Sequence, residues 1–337
     1  MSPEALFASE DGVFISESMR KLVATAKTVA ATDFPILITG ETGTGKEVIA
    51  RLIHKYSGRA DKDFLPYNCT GVPKDMVESQ LFGHKRGAFT SAHESSLGVV
   101  RTVEGGTLLL DEIGEVELGI QPKLLRFLDN KEVHPLGEAR PVKVDVRIIA
   151  ATNANLDDLV RKGLFREDLL YRLNVMTLEL PPLRERREEI LPLAHHFLRR
   201  FGTDTGRPHL RITEDAQKCL LLHEWPGNVR RLANELRRAV TLTEGDGPVG
   251  LAQLSPDVIE AGRAIGETIL TAGVDEGQAV TIQTNQRLAD AVAHLERVMI
   301  RRTLKRVDGH VGLAARALGI SRKGFYLKRR RLGFDDL

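Results

Sequence analysis

The chain has 337 residues, 42% of them apolar and 28% charged, a composition that fits a soluble globular protein of two or three domains and excludes disordered and fibrous classes. Its formal net charge of +2 hides an asymmetry: residues 286 to 337 hold 13 Lys or Arg against 5 Asp or Glu, a net of +8, and the remainder carries −6. No apolar run approaches the roughly 18 residues that cross a bilayer, and Met1-Ser2-Pro3-Glu4 lacks the basic start and apolar core of a secretion signal, so a cytoplasmic protein without a membrane partner is expected.

The residues ahead of Ile15 leave no room for a sensory domain, which assigns control to a regulatory protein in trans, to expression level or to a region outside this sequence. Ser16 or Ser18 suits the cap of an amphipathic helix carrying Met19, Leu22, Val23 and Val29. From Phe34 to Val175 short β-rich runs alternate with helical patterns, which predicts an α/β fold with a parallel sheet covered on both faces. The first run, ILI, leads into Gly40-Glu41-Thr42-Gly43-Thr44-Gly45-Lys46-Glu47 and then a helical pattern, the setting of a P-loop that binds ATP. Its glycines let backbone N–H groups face the phosphates, and Lys46 brings charge to the β and γ oxygens. Glu47 stands where most P-loops place Ser or Thr for Mg, so its carboxylate would reach the metal through water. Cys69 and Cys219 fit no metal or redox spacing and read as small buried residues.

Residues 78 to 92, ESQLFGHKRGAFTSA, contain nothing that ATP chemistry requires. Their tip, Gly87-Ala88-Phe89-Thr90-Ser91-Ala92, joins small residues to one aromatic and suits a loop that touches another macromolecule. The run GGTLLLDE then ends in Asp111 and Glu112, placed to hold the magnesium hydration shell and to orient the attacking water. A third strand ends in Thr152 and Asn153, in reach of a γ-phosphate. Arg166 and Arg172 in LFREDLLYRLNV read in two ways: solvated helix charges pairing with Glu167 and Asp168, or arginine fingers reaching the ATP of a neighbour in a ring.

After Pro181-Pro182 the strand signals stop. Residues 185 to 244 read as a small helical domain in which Asn228 caps a helix and Arg230 projects toward phosphate. Residues 246 to 285, rich in glycine and weakly periodic, read as a linker. In residues 286 to 306, Leu288, Val292, Leu295, Val298, Met299 and Leu304 recur at helical spacing, which suits a dimerising helix or packing within the same domain. A short helix from 311 to 318, a Gly319-Ile320-Ser321 turn capped by Ser321, and a helix from 322 to 332 make an all-α helix-turn-helix for double-stranded DNA. Arg322, Lys323, Gly324 and Tyr326 would meet base edges or phosphates, and Lys328, Arg329, Arg330 and Arg331 would neutralise the backbone.

The stretches GETGTGKE, ESQLFGHKRGAFTSA, GGTLLLDEIGE, QPKLLRFL, AATN, LFREDLLYRLNV, PPLRERREEI and WPGNVRRLAN together resemble the AAA+ domain of bacterial enhancer-binding proteins, the ATPases that activate sigma-54 RNA polymerase, over residues 12 to 245. GLAARALGISRKGFYLKRRRLG resembles the Fis-type domain that ends many of them. The resemblance implies that Gly45 and Lys46 belong to Walker A, Asp111 and Glu112 to Walker B, Thr152 and Asn153 to sensor one and Arg230 to sensor two. It makes Arg166 and Arg172 trans-acting fingers, and Asn68 the residue that senses γ-phosphate and restrains Glu112. The tip from 87 to 92 corresponds to the loop that contacts the sigma factor, with Phe89 and Thr90 as the contacts. Ser91 departs from the glycine usual there, a change that costs about 1 kcal/mol where φ is positive. His84-Lys85-Arg86 and Arg231 also depart from the commoner residues.

The implied organisation is a short tail at 1 to 11, an α/β ATPase subdomain at 12 to 180, a helical lid at 181 to 245, a linker at 246 to 285 and the helix-turn-helix at 286 to 337. The implied function is ATP-driven remodelling of sigma-54 holoenzyme by a homo-oligomer, a dimer on upstream activator DNA that grows to a ring of six or seven. The rival is a DNA-binding regulator in which ATP sets only the oligomeric state.

Overall fold

The computed structural model describes residues 8–9, 12–70, 74–88, 94–245, 247–269, 288–307 and 310–332. They divide into two units, Met1–Gly262 and Arg263–Leu337.

In the first unit a small antiparallel pair, β1 (Ala8–Ser9) and β2 (Gly12–Val13), precedes helix α1 (Glu17–Ala30). Of the two serines, Ser16 is the cap: its hydroxyl accepts the Met19 N–H at 3.3 Å. There follow β3 (Ile36–Thr39), α2 (Lys46–Lys55), β4 (Phe64–Asn68), α3 (Lys74–Phe82), α4 (Val99–Thr102), β5 (Thr107–Asp111), α5 (Gln121–Asn130), the short strands β6 (Glu132–Val133) and β7 (Val142–Lys143), β8 (Arg147–Thr152), α6 (Leu156–Arg161), α7 (Glu167–Leu173) and β9 (Met176–Glu179). The main sheet is wholly parallel, in the order β4-β5-β8-β3-β9.

Because strand side chains alternate between faces, Leu108, Leu110, Ile148 and Ala150 enter a core with α5 and α7, while Leu109, Ile149 and Ala151 enter another with α1 and α2. Burial on both faces explains the unbroken apolar runs TLLL and IIAA. The register aligns Asn68 with Asp111, and Thr39 with Thr152, so the polar ends of β4, β5, β8 and β3 meet at one carboxyl edge. Arg147, buried at the opposite edge, donates to the carbonyls of Val29 and Ala30 at 3.0 and 2.7 Å and so closes the end of α1.

Beyond β9 the chain makes α8 (Ile190–Asp204), α9 (Glu214–Leu222), α10 (Asn228–Leu242) and α11 (Pro256–Ile269). Their core gathers Leu198, Phe201, Leu220, Trp225, Leu232 and Leu236, with the Trp225 indole N–H donating to the Leu220 carbonyl at 2.8 Å. The stretch read as a linker from 246 therefore differs in its first half. Leu254 and Val258 are buried in this helical core, and Glu235 accepts the Ser255 N–H at 2.6 Å. Glycine suggested a flexible tether, but Gly262 is there for contact: a Cβ would stand 2.4 Å from Cys219 Sγ. Arg231, unusual in sequence, pairs with Asp257 of α11 at 2.9 Å. Residues 270 to 287 lie outside the described residues.

The second unit holds α12 (Leu288–Arg306), α13 (Val311–Ala317) and α14 (Arg322–Arg331) around Ile300, Ala314, Ala315, Phe325 and Leu332. Ser321 caps α14 by accepting the Gly324 N–H at 3.0 Å. Leu304 packs against this core, whereas Val292 and Met299 are exposed on α12.

Candidate functional site

The P-loop joins the carboxyl end of β3 to the first turn of α2. Lys46, buried there, donates to the carbonyls of Gly40 and Glu41 at 2.9 and 3.3 Å and stands 3.8 Å from Glu112 Oε1. Burial lowers its pKa, and the charges of Glu112 and Asp111 oppose that fall. At the end of β5, burial and then repulsion from Glu112 push the Asp111 carboxyl above its ordinary value. Glu112 leaves the strand with φ 54°, and its Oε2 accepts the Asn153 N–H at 3.1 Å. The Asn153 carboxamide in turn donates to Thr42 Oγ1 at 2.7 Å. Loop, acids and Asn153 thus converge on one small volume. Cys69 borders it, but burial and the two carboxylates push its thiol up to about 12, which leaves it inert.

Other sequence-predicted residues sit differently. Thr152 is buried and its hydroxyl accepts the Ala154 N–H at 3.0 Å, so of that pair Asn153 alone meets the P-loop. The Asn68 carboxamide oxygen is engaged by the N–H and hydroxyl of Thr70 at 2.8 and 2.7 Å, and Glu112 is held by Asn153 and Lys46 instead. Glu47 is exposed and pairs with Arg51 at 2.6 Å, yet its charge still contributes to raising the Asp111 pKa. Arg166 forks onto Asp168 at 3.0 and 2.6 Å, and Arg172 pairs with Asp129 of α5. Both arginines are exposed, in a region that also leaves Leu164, Tyr171 and Val175 exposed, Tyr171 by 71%.

The helical subdomain rests on the P-loop. Arg230, in the first turn of α10, donates its backbone N–H to the Gly43 carbonyl at 3.3 Å, and its charge contributes to lowering the Lys46 pKa. Asn228 is not the cap that its sequence suggested, since Gly227 takes that place with φ +92°. Its buried carboxamide accepts the Leu183 N–H at 2.7 Å and donates to Glu41 Oε2 and the Thr42 carbonyl, each at 3.1 Å. Glu41 also receives a fork from Arg184 at 3.0 and 2.7 Å, which is the leading cause of its lowered pKa. Thr44 donates its hydroxyl to the Glu41 carbonyl at 2.8 Å.

Two hollows adjoin the loop. One, of about 860 Å³ at the carboxyl edge of β3 and β9, is lined by Gly40, Glu41, Asn153, Asp157, Arg184 and Glu185 among others. The second, of about 240 Å³, lies beside Thr44 and Gly45 and takes its apolar walls from Phe14, Met19, Val48, Phe197 and Val229. It suits a flat heterocyclic base. Sequence reading missed it because its walls come from four separated segments, and the motifs at two of them, GETGTGKE and WPGNVRRLAN, mark the phosphate side and not an apolar hollow.

The loop that follows α3 has a fixed base. His84 and Ser96 exchange backbone hydrogen bonds at 2.9 Å, and Lys85 N and the Gly83 carbonyl bond to Leu136 at the same distance. Gly87 and Ala88 are described, with Gly87 at φ +83°. Phe89, Thr90, Ser91 and Ala92 lie outside the described residues.

On α14, Phe325 and Leu332 turn inward, and Lys328, between them on the same face, follows. Lys328 and Arg331 pair with Glu296 of α12, whose carboxyl is held below its ordinary value chiefly by Lys328. Lys323, Tyr326, Leu327, Arg329 and Arg330 line a shallow hollow on the outside. Lys328, expected to contact DNA, is thus occupied within the unit, and Leu327, not singled out, is exposed. The guanidinium of Arg322 lies over Gly312, where a Cβ would stand 2.6 Å from it.

Residues 13–179 match the Sigma-54 interaction domain, residues 184–267 the AAA+ ATPase lid domain and residues 291–332 the Bacterial regulatory protein, Fis family. The chain is 40% identical over 336 residues to the response regulator protein PilR of Pseudomonas aeruginosa, covering 99% of this chain and 73% of that protein. It is 41% identical over 320 residues to the regulatory protein AtoC of Escherichia coli, covering 95% and 67%. With the alginate biosynthesis transcriptional regulatory protein AlgB of Pseudomonas syringae pv. tomato it shares 54% over 224 residues, 66% of this chain but half the length of that relative. Among solved structures, NtrX from Brucella abortus in complex with ATP superposes with a TM-score of 0.67 at 31% identity, covering 95% of this chain and 69% of that one. The lid match to residue 267 takes in most of α11, in keeping with the burial of Val258 in the helical core. A parallel sheet carrying a P-loop, a helical lid packed on that loop, and a terminal helix-turn-helix are thus joined in one chain, and it belongs to the family of sigma-54-dependent enhancer-binding regulators, AAA+ ATPases with a Fis-type DNA-binding domain.

Proposed function

We propose that the chain is a DNA-bound ATPase that uses hydrolysis to drive the loop carrying Phe89 and Thr90 against sigma-54 RNA polymerase holoenzyme, and so opens promoters. One observation carries the reading: Lys46, Asp111, Glu112 and Asn153 converge on a P-loop with the lid against it. Lys46 and the loop N–H groups bind the β- and γ-phosphates of ATP. Glu112, oriented by the Asn153 N–H, accepts a proton from the attacking water. The base stacks in the apolar hollow beside Gly45.

Asp111, with Glu47 acting through water, is the set that would hold magnesium. The set fits, because burial and then repulsion from Glu112 push the Asp111 carboxyl up in spite of Lys46 nearby, and a divalent cation would relieve that repulsion. Magnesium supplies neutralisation of the β- and γ-oxygens. In a ring, Arg166 and Arg172 exchange Asp168 and Asp129 for a neighbour's γ-phosphate, and the exposed Leu164, Tyr171 and Val175 cover the contact. A dimer through Val292 and Met299 docks α14 in the major groove, with Lys323, Tyr326 and Arg330 outward.

Open-complex formation at a sigma-54 promoter by the purified chain with ATP tests the proposal, with Lys46→Ala and Ser91→Gly alongside. Opening by the parent chain and none by Lys46→Ala is the expected result. Hydrolysis without opening, in the parent and in Ser91→Gly alike, would instead establish the regulator that uses ATP only to set its assembly.

A further inference from the structure

The charge run from Arg184 to Glu189 is not a uniformly solvated face. Two turns of 3-10 type, Leu183–Glu185 and Arg187–Glu189, carry it, and at three residues per turn every third side chain points the same way. Leu183, Arg186 and Glu189 accordingly face inward, with Arg186 2% exposed and Glu189 0%. Opposite charges withdrawn so fully from water persist where bonds compensate them. Glu189 Oε1 accepts the N–H groups of Ile15 and Ser16 at 2.8 and 2.9 Å and the Ser16 hydroxyl at 2.9 Å. Its Oε2 accepts Arg186 Nη1 at 3.2 Å, and Arg186 Nη2 donates to the Thr44 carbonyl at 2.6 Å. Arg186 Nε has no acceptor among the described residues. An unmatched buried donor is a cost, so stability alone does not explain this placement.

The Thr44 carbonyl belongs to the peptide that carries the Gly45 N–H. In a trans peptide the C=O and N–H lie in one plane and point in opposite directions. Fixing the oxygen on Arg186 therefore turns the Gly45 N–H to the other side, ahead of the first turn of α2, where backbone donors gather a phosphate. Gly45 holds φ +106°, a conformation closed to most residues, and a Cβ there would meet open space, so the backbone angle rather than crowding requires glycine. The guanidinium also polarises the peptide, which makes its N–H a stronger donor.

We propose that Arg186 is a positioning residue for the phosphates of bound nucleotide, setting the direction of the Gly45 N–H, and that Glu189 makes this setting answer to the chain at Ile15 and Ser16. The proposal rests on the nucleotide-binding reading above. Whatever displaces the backbone at Ile15 and Ser16 then alters phosphate binding through the bonds from Glu189 to Arg186 and from Arg186 to the Thr44 carbonyl.

The test compares a fluorescent ATP with the matching fluorescent adenosine, which has no phosphates, on the full chain and on Arg186→Met, Glu189→Gln and Ser16→Ala, with unfolding midpoints for each. Arg186 also borders the hollow assigned to the base, so the readout is the difference between the two ligands: Arg186→Met is expected to weaken ATP binding by about tenfold more than it weakens adenosine binding. Glu189→Gln and Ser16→Ala shift ATP binding the same way by less, and Ser16→Ala adds little once Arg186 is gone. Equal losses for ATP and adenosine would overturn the proposal by reducing Arg186 to a support of the fold. Fully multiplicative effects at Ser16 and Arg186 would overturn the link between them. If Arg186→Met does not fold, Arg186→Lys carries the same comparison, since it keeps the charge without the two-pronged bridge. A parent chain that binds neither ligand defeats the nucleotide reading itself, whereas unchanged ATP binding in folded variants defeats the role of Arg186 alone.

Discussion

Asp111 is held where both its burial and its neighbour Glu112 resist ionisation. A carboxyl whose folded pKa is raised favours the fold below its unfolded value, and that contribution is lost as pH rises through the folded one. At neutral pH the ionised side chain is thus a burden on the fold that function requires. Asp111→Asn is expected to raise the thermal midpoint of the nucleotide-free chain while ATP hydrolysis falls by about a hundredfold or more. Thermal denaturation and steady-state phosphate release check the two halves separately, and a lowered midpoint would contradict the electrostatic account. Asn228 makes the opposite case, since its positive φ and full burial are balanced by bonds to Leu183, Glu41 and Thr42.

Elements were legible in the sequence where their period is local. The alternation of Leu108, Leu109 and Leu110 between two cores, and the turn chemistry of Ser321, follow from neighbours in the chain. What remained hidden depends on distant partners: α11 resembled a tether because the reason for Gly262 is Cys219, on another helix. Likewise the apolar hollow beside Gly45 draws on Phe14, Val48 and Phe197, and the inward turn of Lys328 needs Glu296. The tertiary reason for Gly262 decides a sign. Helix propensity alone would reward Gly262→Ala by about 1 kcal/mol. The collision at 2.4 Å reverses this, giving a net loss of about 1–2 kcal/mol by overpacking. Chemical denaturation of the single variant, and of its combination with Cys219→Ala, measures it, and the double variant should recover part of the loss.

For the whole molecule, charge is divided between a weakly acidic ATPase region and a basic terminal unit, yet part of that basic charge is neutralised internally. Glu296 holds Lys328 and Arg331. Its lowered pKa means that this support is present above the ordinary carboxylate value and fades as pH falls through the lower, folded one. Glu296→Gln should release both cations toward phosphate, tightening binding to arbitrary duplex DNA and steepening the slope of log affinity against log salt by about one to two. Titrations at several salt concentrations read this directly, and an unchanged slope would place the two cations away from the duplex. A last consequence concerns Lys46, whose ammonium already leans on the oxygens of Gly40 and Glu41. An arriving anion must out-compete an internal tether, so a polyphosphate that also engages the neighbouring amides gains from the exchange. A lone orthophosphate gains little, and the same tether therefore hastens its departure after each turnover.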